Sequence, residues 1–126
     1  MTTKVFLALA SAIMMITACA ADDVTSSDDD PSLQDRADGI AVYQAHCASC
    51  HGSDLRGTDR GPSLFSIVYE PGHHSDTAFR LAIRNGTRQH HWRFGDMPPV
   101  DNITDNEIEA VIAYIRNEQN RFGFER

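Results

Sequence analysis

The residues able to do chemistry lie together near the middle of the chain, in Gln44-Ala45-His46-Cys47-Ala48-Ser49-Cys50-His51-Gly52. Cys47 and Cys50 stand about one helical turn apart, so both sulfurs can add across the two vinyl groups of one porphyrin edge. His51, next in line, then reaches the iron as an axial ligand. Cys-x-x-Cys-His is the spacing of c-type haem attachment, and a covalently tethered haem cannot diffuse away outside the cytoplasm. Three other chemistries use similar residues. A thioredoxin-like dithiol opens a helix after a strand in a βαβ pattern, whereas the residues before Cys47 read as helical. A structural disulfide needs only the two thiols. A zinc site needs a second set of ligands; His73-His74 and His90-His91 supply them by count, but there is no second Cys pair.

The elements that must hold this motif follow from periodicity and end signals. A first helix is expected from near Ser32 or Asp35, either able to cap, through Ile40, Val42 and Tyr43 to about Ala45. Gly39 inside it costs up to about 1 kcal/mol relative to alanine, so a missing side chain is needed there for close approach of another element. Tyr43, four residues on, faces the same way. The strongest helix signal is the last. Thr104 with Glu107 makes a capping box, Ile103 can staple to Ile108, and Ile108, Val111, Ile112 and Ile115 repeat at helical spacing with Tyr114 beside them. This stripe reads as core that closes a small domain over the first helix. Between the two, Gly52 to Pro62 reads as an irregular loop. Ser75 caps a short third helix with Phe79, Ala82 and Ile83 on its apolar face, ending at Asn85-Gly86. No stretch reads as a strand, so the fold class is all-α, with three to five short helices. A domain of about ninety residues is marginal without a staple, and a covalent haem is such a staple.

The 126 residues allow one small domain plus targeting sequence. Lys4 and the terminal amine precede an apolar run from Val5 to Ile16, long enough for a signal-peptide core and short for a bilayer span. Ile16-Thr17-Ala18-Cys19 resembles the lipobox of bacterial lipoproteins, although Ala18-Cys19-Ala20 also fits ordinary signal peptidase. Lipidation at Cys19 is favoured, because it is the one cysteine outside the haem motif. Residues 1–18 are thus expected to be a lipoprotein-type signal, 19–33 an acidic flexible tether and 34–126 the folded domain. The tether holds Asp22, Asp23, Asp28, Asp29 and Asp30, five of the eighteen acids, and too little apolar surface to offset ordering. The formal net charge is -7. Nothing basic enough for nucleic acid remains.

The order of elements resembles the class I c-type cytochromes, specifically the small bacterial mono-haem type, over about residues 35 to 120. The resemblance rests on Gly39-x-x-x-Tyr43-x-x-x-Cys47-Ala48-Ser49-Cys50-His51-Gly52, then Gly61-Pro62-Ser63-Leu64, Ile83-Arg84-Asn85-Gly86, Met97-Pro98-Pro99, and Ile108 to Ile115. It implies a cytochrome c fold whose N- and C-terminal helices cross, Gly39 and Tyr43 against Val111 and Tyr114, around one haem c bound through Cys47 and Cys50. It implies that the Pro62 carbonyl accepts the Nδ1 proton of His51, leaving Nε2 for iron. Met97, in a loop stiffened by Pro98-Pro99, is the implied sixth ligand. Thr87 to Gly95 departs from the shortest members by inserting two histidines, Trp92 and several charges, which makes His90 or His91 the rival ligand. Trp92 and Arg93 either meet the haem propionates or, for Trp92, serve as ordinary core.

A His/Met iron has no open position, so the expected function is one-electron transfer rather than catalysis. The rivals are an electron-entry subunit of a larger oxidase or dehydrogenase complex, and a small haem enzyme or gas binder with a labile sixth ligand. The partners are then a redox donor and acceptor, met on the periplasmic side from a lipid anchor at Cys19, or as a soluble periplasmic protein. With Lys4 removed no lysine remains, so a docking surface must use Arg80, Arg84, Arg88 and Arg93. A tether of about fourteen residues gives a reach of roughly 20 Å.

Overall fold

A computed structural model describes residues 33–126. The proposed signal, Cys19 and the acidic tether lie outside them, except that Leu33 is the first residue of a helix. Four α-helices follow in order: α1 Leu33–His46, α2 Ala48–His51, α3 Asp76–Asn85 and α4 Asp105–Phe122, with a 3₁₀ turn at Ile67–Tyr69. Among the described residues there is no strand, only isolated bridges pairing Ser66 with Glu125 and Thr87 with Met97. The class is all-α, as the periodicity requires. No helix among these residues is long and apolar enough to cross a membrane.

The two long helices cross where glycine permits it. A Cβ built on Gly39 would lie 2.3 Å from the Ala110 carbonyl oxygen and 2.8 Å from Tyr114 Cβ. Backbone therefore meets backbone, and Val42 and Tyr43 are buried against α4 while Ile40 stays exposed. Tyr43 meets Tyr114 edge-on, ring centroids 5.5 Å apart, a geometry that aromatic quadrupoles favour. From α4 the stripe of Ile108, Val111, Ile112 and Ile115 enters the core, joined by Leu55, Leu64 and Phe65 from the loops and Phe79 and Ile83 from α3. Burying each such side chain contributes about 1.5–3 kcal/mol.

The helix ends are set locally. The Thr104 hydroxyl accepts from Glu107 N–H and the Glu107 carboxylate accepts from Thr104 N–H, closing the capping box of α4. Ser75 accepts from Ala78 N–H at the start of α3. At its end Gly86 takes φ 71°, a conformation costly to any residue with a Cβ, and its N–H bonds the Ala82 carbonyl. The chain then turns back, and Thr87 and Met97 exchange both backbone hydrogen bonds at 2.9 Å. This pairing starts at Thr87, the first residue of the insertion noted in the sequence, and closes at Met97, just beyond its end at Gly95.

Candidate functional site

Cys47 to His51 form one continuous turn running on from α1. Cys47 N–H bonds the Tyr43 carbonyl at 2.8 Å, and His51 N–H bonds the Cys47 carbonyl at 3.0 Å. The buried Tyr43 hydroxyl donates to the Gly52 carbonyl at 2.7 Å, so the residue that packs α1 against α4 also anchors the far end of the motif. Cys47, Cys50 and His51 are all half-buried, and both cysteines are free thiols. Burial, reinforced by Cys50, pushes the Cys47 thiol up to about 11. A redox dithiol works through a depressed thiol pKa; this one is shifted the other way.

His51 Nδ1 lies 3.0 Å from the Pro62 carbonyl oxygen. A carbonyl only accepts, so Nδ1 carries the proton and Nε2 keeps its lone pair. Burial lowers the His51 pKa, partly countered by the Pro62 bond, and the imidazole stays neutral as metal ligation requires.

His51, Cys47, Pro62 and Met97 line one cavity of about 460 Å³, within the range of small-molecule and cofactor sites. Leu64, Phe79, Ile83 and Ile115 supply apolar lining. Cys50 is not part of the lining. Met97 is half-buried there, positioned by its backbone pairing with Thr87 and by Gly86, whose missing Cβ would sit 2.6 Å from the Met97 carbonyl oxygen. Trp92 lines the cavity and stacks on Tyr69 at 5.7 Å between centroids, while Arg93 is exposed and does not line it. An apolar cavity with an oriented imidazole, a thioether and one thiol of the Cys-x-x-Cys-His motif on its lining fits a haem.

Sequence reasoning missed two supports of this lining. Arg116 on α4 donates to the carbonyls of Tyr69 and His74, to Asp76 and to Gln119 Oε1, with its guanidinium over the Phe79 ring. Gln119, buried in the core, donates to the Leu64 carbonyl at 2.6 Å. Their one sequence signal is spacing, since positions 116 and 119 continue the stripe of 112 and 115 with polar residues. The docking arginines are also rearranged: Arg80 pairs with Glu109 and Arg84 with Asp105, because α3 lays that face along α4. Arg88 and Arg93 have no ion pair among the described residues. The histidines counted as possible zinc ligands beside the cysteines gather with one another instead, His73, His74 and His91 in one group that contains no cysteine.

Residues 36–119 match the family model for cytochrome c. The chain belongs to the cytochrome c family. This cytochrome c is 29% identical over 103 residues to cytochrome c-551 of Bacillus subtilis (strain 168), covering 79% of its own length and 80% of that protein. Its fold is similar to that of cytochrome CL from the marine methylotroph Methylophaga aminisulfidivorans MPT, with a TM-score of 0.53 and 26% identity over 72% of this chain. It spans 55% of that longer structure. Membership makes the protein a haem-based electron carrier and implies haem c, for which Cys47 and Cys50 have the required spacing.

Proposed function

We propose that this cytochrome c is a one-electron carrier with His51 and Met97 as axial ligands, exchanging electrons with donor and acceptor proteins from a lipid anchor at Cys19 on the periplasmic side of a membrane. Bound through Cys47 and Cys50, haem supplies a ferric/ferrous couple, which thioether ligation and burial bias toward the ferrous form. The observation that carries the reading is the Pro62 carbonyl holding His51 in the Nδ1–H tautomer in a cavity that Met97 also lines. His51 thereby offers Nε2 without a rearrangement. Thr87 and Gly86 hold the Met97 backbone, and the apolar side chains exclude water from the lining. With His51 and Met97 both holding the iron, no position would be left for peroxide or a gas.

Leu81 and Phe94 line the cavity yet are 54% and 41% exposed. Such an apolar rim suits a brief encounter with a redox partner, and the unpaired Arg88 and Arg93 in the neighbouring loop favour an acidic one. A histidine as sixth ligand is the second reading, since His90 and His91 line the same cavity.

Met97→Ala should abolish the weak sulfur-to-iron charge-transfer band of the ferric protein, while His90→Ala and His91→Ala keep it. Absence of the band from the unmodified ferric protein, with a spectrum that changes in His90→Ala or His91→Ala but not in Met97→Ala, would move the ligand to that histidine, and rapid peroxide turnover by the unmodified protein would overturn the carrier reading in favour of an enzyme. An intact mass beginning at unmodified Ala21 would remove the anchor.

A further inference from the structure

Four of the six histidines gather beside the cavity, brought together from the turn before α3 and from the 88–96 loop: His74, His90 and His91 line it, and His73 packs against His74 and His91. His73 Nε2 lies 3.3 Å from His91 Nε2, and His90 Nε2 lies 3.5 Å from His74 Nε2. One ligand atom from each of His73, His74 and His91 falls within 4.8 Å of the others. Two of the rings are oriented by backbone. His74 Nδ1 is 2.7 Å from the Val68 carbonyl oxygen, and His90 Nδ1 is 2.8 Å from that of Arg88. Carbonyls accept only, so both Nδ1 atoms are protonated, and in the neutral rings the facing Nε2 atoms present lone pair to lone pair. A cation between them relieves that opposition. Imidazoles held through the other ring nitrogen by a carbonyl are the usual support of a metal-bound histidine.

We propose that His73, His74 and His91 form a site for a divalent transition metal, Zn²⁺ fitting best, that fastens the turn before α3 to the loop leading into Met97, with the fourth position taken by water or by His90, which neighbours His74. The ligand type favours the ion: neutral imidazole nitrogens suit Zn²⁺, and the His73–His91 separation of 3.3 Å is close to the edge of about 3.3–3.4 Å expected of a tetrahedron with Zn–N of about 2.0–2.1 Å. The grouped atoms include no carboxylate, which disfavours Ca²⁺ and Mg²⁺. No atom of the site belongs to Cys47, Cys50, His51 or Met97, and the inference rests on the reading in which Met97, not His90 or His91, is the sixth ligand.

The test is titration of the haem-bearing protein with ZnCl₂ by calorimetry, since thioether linkage removes both thiols as competing ligands, together with X-ray absorption at the zinc edge. One zinc per chain is expected, with four light scatterers at about 2.0–2.1 Å. Affinity should fall at least tenfold in His73→Ala or His91→Ala, about the least that even an outer-shell loss costs, and remain unchanged in His46→Ala. Absence of binding, a six-oxygen shell, or undiminished affinity in the His73→Ala/His91→Ala double variant would overturn the site. The absorption measurement on the unmodified protein decides the coordination even where a variant folds poorly. Zinc binding that fails while Met97→Ala still loses its band refutes the zinc site alone.

Discussion

Gly39 shows how one residue can set the helix crossing. Inside an exposed helix, alanine there would gain up to about 1 kcal/mol in propensity. The added methyl would instead sit 2.3 Å from the Ala110 carbonyl oxygen, in a helix whose backbone cannot give way, and overpacking of this kind costs about 1–3 kcal/mol. Gly39→Ala is therefore expected to destabilise by up to about 2 kcal/mol after the full propensity gain is offset, seen in urea unfolding as a lower midpoint at unchanged slope. The glycine was legible because it carries a local cost that only a close approach compensates. Gln119 was not. Its partner, the Leu64 carbonyl, is 55 residues away, and nothing in local spacing says which polar residue on an apolar stripe will find a buried acceptor. Gln119→Leu would leave that carbonyl without its donor, at a cost of about 1–3 kcal/mol by the same measurement.

At the scale of elements, the helices whose ends carry their own chemistry were read closely, α4 from Thr104 and Glu107 and α3 from Ser75 and Gly86. Hydrogen bonds from the Thr104 backbone and side chain lower the Glu107 pKa. A carboxylate lowered on folding adds stability above its ordinary pKa, and that contribution disappears as pH falls from there through the folded value. Glu107→Gln should accordingly flatten the acid limb of the stability profile below the ordinary glutamate range and leave the slope near neutrality unchanged, as thermal unfolding across pH will show. The segment from Thr87 to Met97 was not legible as structure, because its form depends on pairing between its two ends and on histidines contributed by another turn. Its length was visible; the gathering of four imidazoles was not.

Across the whole molecule, crossed α1 and α4 form the frame, and the Cys-x-x-Cys-His turn extends directly from α1 into the cavity that α3 and the Met97 loop complete. The core stripe and the attachment motif could both be read from spacing, since each is a local pattern, while the cavity is a product of distant elements. Everything argued about electron transfer depends on a haem fixed by Cys47 and Cys50. The most direct measurement is the intact mass of the purified protein after denaturation and acid extraction, made alongside Cys47→Ala. The account predicts that colour stays with the unmodified chain, at a mass raised by one haem, and that Cys47→Ala disrupts the attachment; haem that washes out, or attachment unaffected by Cys47→Ala, would contradict it.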